Sequence, residues 1–350
     1  MKRAYVAIAA TVGLFALVQV GALALVQPFM DAGLQTVEDP SDPTNSLLYV
    51  VAILIATAVM LGAIKLGVDR LLQALIVFAA VMLAFYVFSV VAPPLVTYAG
   101  LNLLAVLAAA AIGLGLLLYP EWYVIDTAGI VMGAGAAGLF GISFGLLPAL
   151  LLLVVLAVYD AVSVYGTEHM LTLASGAMDL RLPVVFVVPL TLSYSFLEAD
   201  GPAALADDEA ETDETAQGKA DVDDGAATGE DADPGENADP DEEPDAFGRD
   251  AFFIGLGDAV IPTILVASAA FFQPGGAALL SVPGVALTLP ALGAMVGTLA
   301  GLLALMWMVL EGRAHAGLPL LNGGAIAGYL AGALLAGVAL VEALGLAPYL

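Results

Sequence analysis

The sequence predicts an all-α polytopic membrane protein, with nine transmembrane helices and a disordered acidic cytoplasmic loop between the sixth and the seventh. Three observations predict it. Hydrophobic residues make up 61% of the 350-residue chain and the mean hydropathy is +0.99, well above the ~45–50% apolar content of soluble domains. The apolar residues fall into stretches long enough to cross a hydrocarbon core of about 30 Å, which takes about 20 helical residues. The charge is segregated: 21 of the 34 acidic residues lie between Glu198 and Asp250, so a net charge of -26 coexists with apolar flanks.

The expected spans are 4–27, 47–66, 71–91, 97–118, 122–142, 145–167, 251–272, 284–310 and 319–345. The first follows Lys2 and Arg3 as a signal peptide would. Its apolar run exceeds the usual ~7–15 residues, however, and "QPFMDAG" offers no small-x-small cleavage site, so it reads as an uncleaved anchor. The fifth, "DTAGIVMGAGAAGLFG", is rich in glycine, which suits close helix packing in lipid. Nine spans with a cytoplasmic N-terminus put Lys2, Arg3, Lys65, Arg70, Arg181, Lys219, Arg249 and Arg313 all on cytoplasmic segments or their edges. These are all the Lys and Arg in the chain. That is the positive-inside pattern, and it puts the C-terminus outside. The chain divides into helices 1–6 over 1–167, a loop over 168–250 and helices 7–9 over 251–350. The tract 198–250 has too little apolar surface to offset the entropy of ordering it. There is no cysteine, hence no disulfide or thiolate chemistry.

Ionisable groups inside spans are costly and mark function by default. Asp160 lies in the sixth span, about seven residues from its cytoplasmic end, and Asp258 in the seventh, about eight residues from its start. At about 1.5 Å per residue both are expected roughly 10–12 Å below the cytoplasmic surface, where they can face one another. Asp126, four residues after Trp122, reads as an interfacial group beside an aromatic anchor. Two close carboxyls hold one proton between them, so one can take a proton from water while the other donates to a carbonyl. The same pair could bind Na⁺ or relay protons in a transporter. Gly255 and Gly257 leave room for a second backbone beside Asp258, which an extended peptide needs and a cation does not. A third element, "GLPLLNGGAIAGY", opens the ninth span, with Pro319 where a missing N–H is harmless. HExxH, P-loop and GxSxG motifs are absent, and no His/Glu cluster has metal-ligand spacing, so neither a metal nor a cofactor is expected.

Together these residues resemble the presenilin and signal peptide peptidase family of intramembrane aspartyl proteases, most closely its archaeal presenilin-like members. Tyr159-Asp160 resembles the family's YD motif and Gly255-Leu256-Gly257-Asp258 its GxGD motif. Pro319-Leu320-Leu321 stands in the place of its PAL motif, with Leu320 departing from the alanine. The resemblance covers essentially the whole chain. It implies that Asp160 and Asp258 form a dyad cleaving transmembrane helices near their cytoplasmic ends, with Tyr159, Gly255, Leu256, Gly257, Pro319, Leu320 and Leu321 shaping the active site. It implies a stand-alone enzyme in the lipid bilayer, in the presenilin orientation, acting on single-span proteins with an outside N-terminus. No obligate subunit and no nucleic acid are expected as partners.

The segment 181–196, "RLPVVFVVPLTLSYSF", is apolar but short and rich in Val and aromatics. It reads as a β-prone piece that packs near the dyad and holds substrate extended, since a helix must be unwound before its carbonyls are reached. The acidic tract fits a cytoplasm of high salt, where charges are screened within a few ångströms, and so a halophilic archaeon. The rival reading, a cation- or proton-coupled transporter using the same two Asp, should carry internal repeats, and none is visible.

Overall fold

The computed structural model describes residues 2–98, 100–166, 184–191, 194–195, 251–272, 280–282, 285–310 and 316–349. The acidic tract 198–250 and the remainder of the 168–250 loop outside those ranges lie beyond the described residues. In order, the elements are α1 (Lys2–Asp31), α2 (Thr44–Lys65), α3 (Asp69–Val91), β1 (Thr97–Tyr98), β2 (Leu101–Asn102), α4 (Leu103–Leu118), α5 (Trp122–Ser143), α6 (Leu146–Gly166), β3 (Val185–Pro189), β4 (Ala251–Gly255), α7 (Leu256–Phe271), β5 (Leu280–Val282), β6 (Val285–Leu287), α8 (Leu289–Leu310), α9 (Gly317–Leu335) and the short α10 (Leu340–Ala343). Each pair β1–β2, β3–β4 and β5–β6 is an antiparallel ribbon.

Among the described residues, seven helices are long and apolar enough to cross a membrane: α1, α2, α3, α5, α6, α8 and α9. The helices in the fourth and seventh positions, α4 and α7, are apolar but have 16 residues each. Both are shorter than the spans expected there, and for one reason. The run taken as the start of the fourth span folds into β1 and β2, and Asn102 caps α4 by accepting the Leu104 N–H at 3.1 Å. The start of the seventh, "AFFIG", pairs as β4 with "VFVVP" of β3. Hydropathy does not distinguish such aromatic, β-branched sequence from helix, but β-pairing does. The ninth span ends earlier than expected, at Leu335, because the chain turns at Gly337 with φ +78.

The glycine-rich α5 sits at the centre. Gly21 of α1 faces Ala134, Gly135 receives Val87 of α3, and Gly141 lies against Ala267 of α7. Each glycine removes a side chain where a neighbouring helix presses closest, which in lipid is the main source of helix affinity. The lipid-exposed α2 is the opposite extreme, buried over only a small part of its length.

The tightest pair is α8 with α9. Gly293, Gly297 and Gly301 of α8 interlock with Gly328, Gly324 and the backbone of Leu320 in α9. A Cβ added at Gly297 would collide with the carbonyl oxygen of Gly324. Asn322, fully buried on α9, donates its side-chain N–H to the Leu153 carbonyl of α6 at 2.9 Å. The position of α9 is therefore fixed from two sides. Gly297→Ala is expected to destabilise the protein by about 1–3 kcal/mol through overpacking, read as a lowered midpoint of thermal unfolding in detergent. Substituting alanine at Gly62, where an added Cβ meets nothing, should leave the midpoint almost unchanged.

Candidate active site

Asp160 and Asp258 reach the same place from different elements. Asp160, 6% exposed on α6, accepts the backbone N–H of Leu318 through Oδ2 at 3.0 Å. Gly317, the residue before Leu318, lies against the other carboxyl: an ideal Cβ there would stand 3.3 Å from Oδ2 of Asp258. The two carboxyls thus converge on neighbouring residues at the first turn of α9.

Both groups lie at a helix N-terminus, where the first N–H groups are unpaired and the dipole is positive. Ala316 is the N-cap of α9, so the Leu318 N–H has no partner within its own helix, and Asp160 supplies one from another helix. Asp258 occupies the first turn of α7, with its carboxyl folded back towards Gly255, where an ideal Cβ would be 3.4 Å from Oδ2. The chain reaches Asp258 by a route other than the continuous helix expected from the sequence. Asp258 is not eight residues into a helix, because five of those residues are the strand β4, whose rise is about 3.3 Å per residue. Further along, Pro262 lies inside α7 and cannot donate to the carbonyl four residues back, so the peptide carbonyl of Asp258 lacks its helical donor.

The remaining sequence-selected residues divide by role. Leu256 donates its N–H to the Val184 carbonyl at 2.8 Å and lays its side chain against Gly133 of α5, which seats the GLGD turn. Gly257 is exposed, and an added Cβ would meet only Ile261 at 3.9 Å, so the space beside Asp258 on that side is open. Pro319 is half-buried in the first turn of α9, where its lack of an N–H costs nothing. Leu321 is fully buried in the core with Phe15 and Ala259. Leu320 is half-buried, and its carbonyl is what forbids a side chain at Gly301. Tyr159, beside the buried Asp160, is itself 38% exposed. Among the described residues no group of three or more His, Cys, Asp or Glu could hold a metal ion.

The model of the family described as signal-peptide peptidase, presenilin aspartyl protease matches residues 12–338. The chain belongs to that family. It is similar to the solved structure of a presenilin family intramembrane aspartate protease in a C222 crystal, with 32% identity, 94% of this chain and 99% of that chain covered, and a TM-score of 0.59. The same description applies to a P2 crystal structure, with 32% identity, 93% and 97% coverage and a TM-score of 0.58. No curated protein matches the chain. The fold is that of the presenilin family, and the protein is a multi-pass integral membrane protein.

Sequence reasoning missed two contributors in this family member. Gly317 and Leu318 act through backbone and through the lack of a side chain, and neither leaves a signal in composition. Asp126, read as interfacial, is 7% exposed and accepts the Val187 N–H through Oδ1 at 2.8 Å. The Leu256–Val184 bond sets the ladder so that 184, 186 and 188 bond to β4 while Val187 turns its N–H the other way. Asp126 takes that N–H and pins the ribbon to α5. Phe186 and Val187 are both fully buried, so deleting the ribbon to test its role would excavate the core as well. A substitution is cleaner. Asp126→Ala leaves the Val187 N–H without an acceptor and should cost about 1–3 kcal/mol. Asp126→Asn keeps an acceptor oxygen and should cost much less, a difference read from paired thermal unfolding curves.

Proposed function

We propose that the protein is a GxGD-type intramembrane aspartic endopeptidase, with Asp160 and Asp258 as its catalytic residues. The observation that carries the reading is the convergence of the two carboxyls on Gly317 and Leu318. Between them they hold one proton and a water. The ionised carboxyl removes a proton from that water as its oxygen bonds to the scissile carbonyl carbon. The neutral carboxyl gives its proton to the carbonyl oxygen, and a gem-diol results. When the C–N bond breaks, the carboxyl that took the water's proton passes it to the departing amine. The diol returns a proton to its partner, leaving a carboxylic acid, an amine and the original dyad. No cofactor enters these steps.

The substrate is a transmembrane helix of a single-span protein, entered from the lipid and unwound beside the dyad. Support comes from the β3–β4 ribbon, an extended template that runs directly into Gly255, and from the open space beside Gly257. Tyr159, Leu256, Pro319, Leu320 and Leu321 frame that space, and Leu320, bulkier than the family's alanine, sets preference at the cleaved position. The remaining features of the reading are nine spans with α4 and α7 among them, a cytoplasmic N-terminus, cleavage near the cytoplasmic end, action without partner subunits, and a halophilic archaeal cell to which the acidic tract is suited.

Purified protein in lipid, given a labelled single-span substrate, should cleave it, and Asp160→Ala and Asp258→Ala should each lower the rate by at least about 10³-fold while the unfolding midpoint persists. Asp-dependent movement of protons or Na⁺ into liposomes, with no cleavage across a substrate panel, would replace this reading with a transporter.

A further inference from the structure

Gln19 lies in the middle of α1 with no exposed surface, and neither its amide N–H group nor its carbonyl oxygen has a hydrogen-bond partner among the described residues. Because both ends are unpaired, exchanging the amide nitrogen and oxygen does not remove the problem. A dry amide in a membrane interior would cost several kcal/mol, and buried polar groups in proteins are satisfied almost without exception by protein or by ordered water.

The surroundings of Gln19 show which. Two apolar clusters meet in this part of the core. One contains Phe15, Ala259 and Leu302, the other Ala22, Val266 and Ala294. On α1, Gln19 falls between Phe15 and Ala22. On α7, Thr263 falls between Ala259 and Val266, and on α8, Thr298 falls between Leu302 and Ala294. Residues three or four apart share a helix face, so each of the three polar residues lies on the face that joins the two clusters. All three are fully buried. Each threonine has already given its proton to its own helix: Thr263 Oγ1 donates to the Ala259 carbonyl at 2.6 Å, and Thr298 Oγ1 to the Ala294 carbonyl at 2.8 Å. What remains at both hydroxyls is lone pairs.

We propose that Gln19, Thr263 and Thr298 form a water-binding site in the membrane core, a polar layer between two apolar clusters. One water donates to both threonine oxygens and accepts from the Gln19 amide N–H. That gives it three partners, the usual number for a buried water. A second water, or the first in exchange, donates to the Gln19 carbonyl oxygen. A monovalent cation fits less well, because the amide N–H group would repel it and still lack an acceptor. The site uses neither carboxyl: its polar atoms are those of Gln19, Thr263 and Thr298, with Thr263 further along α7 than Asp258.

The test is solid-state NMR of the full chain in lipid, labelled with ¹⁵N-glutamine, in which magnetisation is passed from water to side-chain amides. The Gln19 signal, assigned by its loss in Gln19→Leu, or in Gln19→Met should the leucine variant fail to fold, is expected to receive magnetisation from water, more slowly than the exposed Gln27. Thr263→Val and Thr298→Val preserve shape and should each weaken that transfer. A Gln19 amide that receives nothing from water would mean that the layer is dry, and transfer untouched by both threonine substitutions would mean that the threonines do not hold the water; either result would overturn the proposal.

Discussion

Two carboxyls in a membrane interior need a polar place to meet, and in this protein that place is the first turn of α9. A helix start leaves its first N–H groups without partners and carries a partial positive charge. Asp160 takes one of those N–H groups at Leu318, and Asp258 stands against Gly317. The rest of the architecture can be understood as what holds that turn in place. The glycines of α8 and α9 interlock so closely that α9 cannot slide. Asn322 ties it to α6, the helix that carries Asp160, at Leu153. Since lipid gives apolar helices no hydrophobic reason to associate, close packing and such polar ties carry the positional burden.

The second carboxyl is placed by a strand rather than by a long helix. β4 delivers Asp258 to the first turn of α7, and β4 is itself held by β3, which Asp126 fastens to α5. A chain of specific bonds therefore runs from the central helix to the GLGD turn: Asp126 to Val187, across the ribbon, and from Val184 to Leu256. An extended backbone next to the carboxyls also suits a peptide that must be extended to react.

How much of this was legible depended on where the free energy lies. The membrane class, the segregated acids and the two intramembrane carboxylates could be read directly, because a charge in hydrocarbon is too costly to occur without cause. The strand start of α7 could not, since "AFFIG" is as apolar as the helix that follows, and only its pairing with "VFVVP" decides its form. Leu318 acts through its N–H, which every residue except proline has, so no letter marks it. Asp126 was visible as a carboxylate in a span, but its partner lies 61 residues away in a ribbon that periodicity does not place. Of the two glycines before Asp258, Gly255 lies against the carboxyl and Gly257 does not, a difference that spacing alone could not give.

The most direct test of the central claim is the affinity, in lipid, of an extended peptide carrying a tetrahedral hydroxyl in place of the scissile carbonyl. Such a group matches what two carboxyls sharing a proton bind in the transition state, where analogues gain 10²-fold or more over substrates. The account predicts tight binding to the wild type and a loss of at least about 10²-fold in Asp160→Ala and in Asp258→Ala alike, with no further loss in the double variant. Binding that survives either single substitution unchanged would contradict it.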